Sequence, residues 1–141
     1  MLELVGYRDE YADLCARVWR GPLLVSVDSP GANPFAPPLP DAGRILVAPG
    51  VGIAVFDEID HVCRSARLSV ATLTDPAGVL GAAVAVARDR LRLHRVFGLL
   101  SAEAEVVVRH GFEAEVTIPQ HLWLDGAVRA GTIWGRCFDV E

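Results

Sequence analysis

Asp57, Glu58 and His61 crowd one short stretch, Asp57-Glu58-Ile59-Asp60-His61. Carboxylates next to an imidazole are the residue types of general acid–base chemistry, which needs a group able to exchange a proton near neutral pH. Glu58 is the first candidate base and His61 the second. Along a regular strand Asp57 and Glu58 face opposite sides, so both cannot line one pocket. The same residues also fit a solvated turn. Further along, His121 and Trp123 share a strand face at i and i+2. An imidazole beside an indole suits a carboxylate or an aromatic substrate, and His121 is a third candidate for proton transfer. A sheet edge or a dimer contact also explains that pair.

Other chemistries are excluded or lack support. The 13 basic residues are all Arg, so Schiff-base and lysine-base mechanisms are closed. Cys15, Cys63 and Cys137 are widely spaced, which indicates neither a zinc nor a redox motif and suits thiols in a reducing cytoplasm. No metal site is expected. A net charge of −5 argues against nucleic-acid binding, which calls for a basic stripe. The amino-terminal stretch has no apolar signal region, and no apolar run reaches the roughly 20 residues of a membrane span.

The elements that must position these residues read as follows. Leu2–Val5 is a short strand. Asp9 caps a helix that ends at Gly21-Pro22. Leu23–Val27 is an apolar, β-branched strand. Residues 28–41 hold five prolines and form a loop. Arg44–Ala48 and Gly52–Asp57 pair across Pro49-Gly50, and Ala66–Leu73 follows. Gly81–Leu91 is helical, Leu93–Leu100 a strand, and Ala102–Arg109 a short helix closed by Gly111. Glu113–Trp123 and Val128–Asp139 form a hairpin across Asp125-Gly126. The expected fold is α+β: one domain over residues 1–141, with a mixed, mainly antiparallel sheet of about seven strands and roughly three short helices. The 141 residues suffice for one core. An apolar content of 52% makes a partner-covered surface plausible, as a homodimer or under another protein.

From Gly52 to Arg136 this order resembles the GCN5-related N-acetyltransferases, in particular the branch that acetylates ribosomal-protein N-termini. The carriers are the hairpin Gly52–His61 with Ala66-Arg67-Leu68, the stretch Leu93-His94-Arg95-Val96, and Gly111-Phe112-Glu113 before the last hairpin. The resemblance implies acetyl-CoA or another acyl-CoA as cofactor and a small-molecule or peptide amine as acceptor. It implies that two central strands splay and that pantetheine pairs with the exposed edge at Ser69, Val70, Ala71 and Thr72. It also implies a pyrophosphate nest at Gly78-Val79-Leu80-Gly81-Ala82-Ala83, with Gly78, Gly81 and Ala83 as its residues. Backbone N–H groups at a helix start favour such an anion.

The departures from the family pattern matter as much. The nest loop has no Arg. Arg88, Arg90 and Arg92 follow on the helix and either reach back or stay in solvent. The helix is shorter than the family's by on the order of two turns. The Tyr that protonates the leaving thiolate in many members falls near Val107, and no Tyr follows Tyr11. The sequence therefore supports an acyl-CoA-dependent N-acyltransferase-like protein. The alternatives are a non-acetylating binding protein or partner subunit on this fold, or a repurposed biosynthetic enzyme.

Overall fold

The computed structural model describes residues 2–27, 38–100, 104–124 and 127–138, with the backbone alone at Trp123 and Leu124. Eight strands and three α-helices are described: β1 (Val5–Gly6), α1 (Ala12–Val18), β2 (Ser26–Val27), β3 (Ile45–Ala48), β4 (Gly52–Asp60), β5 (Ser65–Thr72), α2 (Pro76–Ala85), β6 (Arg95–Leu100), α3 (Glu105–Arg109), β7 (Glu113–Leu124) and β8 (Ala127–Cys137). The sheet order is β1-β3-β4-β5-β6-β8-β7, with β2 also on β5. The β5–β6 and β2–β5 pairs are parallel and the rest antiparallel.

Strand alternation sends neighbouring side chains to opposite faces and so builds two cores. Ala54 and Phe56 of β4 and Ala66, Leu68 and Val70 of β5 pack with Val79, Leu80 and Ala83 of α2 and Val107 of α3. On the other face Ile53, Val55 and Ala71 pack with Cys15, Val18 and Trp19 at α1. Cys15 is fully buried and its thiol is pushed up by that burial, while Cys63 and Cys137 are exposed.

Several local expectations are corrected. Asp9 caps nothing: it opens a single 3-10 turn, and α1 starts at Ala12 without a side-chain cap. The helix expected over Gly81–Leu91 begins five residues earlier. Asp75 supplies an N-cap carboxylate to the Gly78 N–H at 3.0 Å, and Pro76 sits in the first turn, where its missing N–H costs nothing. The α-helix then loosens into a π turn over Val86–Arg90. Gly111 ends α3 with φ at 82°, as a left-handed C′ residue does. That helix starts at Glu105 rather than Ala102; residues 102–103, residues 28–37 of the proline-rich loop and the Asp125-Gly126 turn lie outside the described residues.

At the far side of the sheet Arg95 of β6 and Glu115 of β7 form a bidentate pair across β8. The Arg95 hydrogen bonds hold the Glu115 carboxyl below its ordinary range. A depressed carboxyl contributes stability that is present above its unfolded value, about pH 4.3, and is lost as pH falls through the folded one. Glu115→Gln is therefore expected to lower the melting temperature at pH 7 and to make no difference near pH 2. Melts across that range check it, and a gap that survives at low pH overturns the assignment.

Candidate functional site

The central feature is a V between two parallel strands. β5 and β6 pair only over Ser65–Arg67 and Arg95–Phe97, and beyond that they part. The chain's own segment 23–27 lies in the gap. The Val70 N–H donates to the Leu23 carbonyl at 3.0 Å, and the Leu24 N–H donates to the Leu99 carbonyl at 2.7 Å. One dipeptide thus satisfies both arms of the V. Downstream, Ser26 and Val27 run parallel to Ala71 and Thr72 as β2. The Thr72 hydroxyl donates to the Ser26 carbonyl at 3.3 Å, and the Ser26 hydroxyl to the Val70 carbonyl at 3.4 Å. Leu24 is fully buried against the α2-side core. Gly98 on β6 gives it room: a Cβ there would stand 2.9 Å from the Leu24 Cβ and 2.7 Å from the Leu68 carbonyl oxygen.

The edge at Ser69–Thr72, expected to be open for pantetheine, is therefore paired and buried. All four residues are at most 1% exposed. The Ser69 hydroxyl has no hydrogen-bond partner among the described residues. Such a buried orphan costs about 1–3 kcal/mol, so this part of β5 is not at its most favourable as it stands.

A second feature adjoins the amino end of α2. A groove of about 750 Å³ runs along the outer face of α2, lined by Asp75, Gly78, Gly81, Ala85, Arg88, His110 and Arg136 among others. Gly78 and Gly81 line it as expected, but Ala83 points into the core and is fully buried. Arg88 also lines it, whereas Arg90 and Arg92 do not. His110 and Arg136 were not legible as groove residues. They come from the α3 terminus and from β8. The His110 ring bonds the Val106 carbonyl through Nδ1 at 2.7 Å, and its Nε2 faces Gly81.

Arg136 donates to the His110 carbonyl at 2.6 Å and stacks over Phe138. No carboxylate pairs with Arg136 among the described residues. Burial, and then the nearby Arg88 charge, hold its pKa below the ordinary arginine value. Arg88 already pairs with Asp89 at 2.9 Å, so the half-buried Arg136 is the cation that favours an anion in the groove. Asp75 opposes this at the other end: its carboxylate already occupies one N–H of the nest.

The candidate bases sit elsewhere. Glu58 adopts φ of 49° at an irregularity in β4 between Asp57 and Asp60. That kink undoes the alternation, so Asp57 and Glu58 converge on one side. Arg67 grips Asp57 with two hydrogen bonds of 2.8 Å and approaches Glu58 at 3.1 Å. Glu58 is more than half exposed. His61 lies in the exposed turn after β4, where Asp60 accepts from the Val62 and Cys63 N–H groups. Neither lines the groove. His121 is exposed on β7, just after a second irregularity at Gln120, and the Trp123 side chain lies outside the described residues. The structure does not bring these candidates together. Val107, at the expected Tyr position, is fully buried in the core.

No family model matches this chain, and no curated protein does. Solved structures do. A mutant of the spermidine N-acetyltransferase SpeG from Vibrio cholerae aligns at TM-score 0.55 and 15% identity over 62% of this chain and 57% of that one. A chimera of that enzyme with hSSAT gives TM-score 0.58 and 14% identity, over 66% and 64%. A probable acetyltransferase gives TM-score 0.53 and 22% identity, over 66% and 59%. The chain thus spans under two thirds of the length of each of these solved chains. These likenesses show the fold: a mixed, mostly antiparallel sheet with its helices, like that of the GCN5-related N-acetyltransferases.

Proposed function

We propose that this chain is an acyl-CoA-dependent N-acyltransferase-like protein acting on a small amine or an amino terminus, with acetyl-CoA or another acyl-CoA as its cofactor. The observation that carries the reading is the groove over α2, lined by Gly78, Gly81 and three cationic or basic side chains and beginning at Asp75, three residues beyond the end of β5. The nucleotide half of the cofactor suits this groove, with Arg88 and Arg136 in place of the missing loop arginine. The pantetheine half does not fit the V as it stands, because Leu23 and Leu24 already pair with both arms. No catalytic step is assigned to Glu58, His61 or His121, and Trp123 with His121 remains the proposed acceptor face. The protein is proposed to be cytoplasmic; among the described residues no helix is long and apolar enough to cross a membrane.

A second reading is a non-acetylating binding protein or partner subunit. The closed V and Val107 favour it, since a buried valine stands where many members of the family carry the tyrosine that protonates the thiolate.

Calorimetric titration with acetyl-CoA, on the native chain and on Asp75→Asn, decides between the two. Asn keeps the acceptor for the Gly78 N–H and tolerates the left-handed backbone of residue 75, but removes a negative charge from the anion end of α2. The expected result is binding by both proteins, tighter by roughly fivefold in the variant, the equivalent of about 1 kcal/mol of near-surface repulsion. No binding by either at millimolar ligand establishes the second reading instead.

A further inference from the structure

We infer that the segment 23–27 is a displaceable strand that gates the V, so that an acyl-CoA enters by replacing Leu23 and Leu24 between β5 and β6. This rests on the cofactor reading above and adds a regulatory device to the same site. Three observations carry it.

The first is backbone economy. The segment uses an amide and a carbonyl to satisfy the Val70 N–H and the Leu99 carbonyl. Pantetheine contains two amides, each with one donor and one acceptor. It can re-pair the groups that the strand releases, so opening leaves no backbone group orphaned.

The second is that the closure is short. Only Ser26 and Val27 form a ladder with β5, Val25 and Ser26 are half-buried, and Val27 is exposed. Leu23 and Leu24 are both buried, Leu24 fully and in the α2-side core. Upstream, Gly21 has φ of 106°, a conformation only glycine adopts freely, and marks the bend from which the strand departs. Two buried leucines and a few hydrogen bonds are a closure that ligand binding can offset, unlike the continuous β4–β5 ladder beside it.

The third is the orphaned Ser69 hydroxyl. It is fully buried without a partner among the described residues, on the residue before Val70, whose amide holds the strand.

The gate separates the two halves of the ligand. Adenosine 3′,5′-bisphosphate needs only the groove, whereas acetyl-CoA needs the groove and an open V. Leu24→Ala weakens the closed state because its cavity exists only there. Calorimetry on this variant is expected to show acetyl-CoA binding tightened tenfold or more and bisphosphate binding changed less than twofold. Thr72→Val, which loses only the hydrogen bond to the Ser26 carbonyl, is expected to tighten acetyl-CoA by two- to fivefold with the core intact. Hydrogen exchange on the native chain gives an independent reading. At saturating acetyl-CoA the Leu24 amide should lose protection while amides of β4 keep theirs.

Equal tightening of both ligands, or unchanged acetyl-CoA affinity in folded variants, overturns the gate and leaves the cofactor reading standing. So does a Leu24 amide that stays protected in the complex. If bisphosphate binds and acetyl-CoA binds no better in any variant, the strand is a permanent plug and the gate is again refuted. Failure of both ligands to bind any variant removes the cofactor reading and the gate together.

Discussion

Gly98→Val is expected to lower stability by about 3 kcal/mol, a drop in melting temperature on the order of 10 °C for a domain of this size. The reason lies in what surrounds residue 98. An added Cβ meets the Leu68 carbonyl oxygen at 2.7 Å and the Leu24 Cβ at 2.9 Å. Leu24 is a side chain and can move with its strand. The Leu68 oxygen belongs to the backbone of β5 and cannot move without disturbing the sheet. Valine would otherwise be a favoured strand residue, so propensity predicts the opposite sign and packing decides. Gly6→Val is the control: residue 6 is in β1 with nothing within 4 Å of its Cβ position, and its change should be near zero. Urea or thermal unfolding of the two variants measures the difference. Equal stabilities would mean that β6 does not pass as close to β5 and Leu24 as described.

Gly81→Glu is expected to weaken acetyl-CoA and adenosine 3′,5′-bisphosphate at least a hundredfold while leaving the fold intact. Residue 81 lies within α2 on its groove face. A Cβ there stands 3.2 Å from His110 Nε2, a side-chain atom that yields by a few tenths of an ångström. Replacing glycine within a helix also recovers about 0.5–1 kcal/mol of backbone entropy, which offsets that adjustment. The glutamate carboxylate then enters a groove whose cations are Arg88 and Arg136 and meets them in place of the ligand phosphates. Loss through charge and volume predicts a milder effect for Gly81→Ala, about tenfold or less. Calorimetry alongside a melt distinguishes loss of binding from loss of fold. Unchanged binding in folded Gly81→Glu would sink the assignment of the groove.

The sequence alone determined the order of elements, because local conformation depends on neighbours a few residues apart, while the starts of β1, β2 and all three helices fell elsewhere than expected. The apolar run from Gly52 and the alternation over Ala66–Val70 announced β4 and β5, Gly111 announced the end of α3, and of the strand expected over Leu23–Val27 only Ser26–Val27 forms one. The Asp75-Pro76 start of α2 was also local, a cap followed by a first-turn proline, yet the Ala/Val-rich run after Gly81 outweighed it in the reading.

Only the tertiary structure decided what those pieces do to one another. A strand's propensity does not say which edge it will pair with, so nothing in Leu23–Val27 showed that it fills the V and buries Ser69–Thr72. Alternation predicted opposite faces for Asp57 and Glu58, but a left-handed residue at 58 turned both toward Arg67, ten residues away along the chain. His110 and Arg136 are 26 residues apart and meet because β8 returns beside the end of α3, which places a cation in a groove that no spacing rule could foresee. Local chemistry fixes conformation through short-range sterics and hydrogen bonds. Pairing partners, burial and charge neighbours arise from contacts between distant segments, and in this protein those contacts hold the V closed.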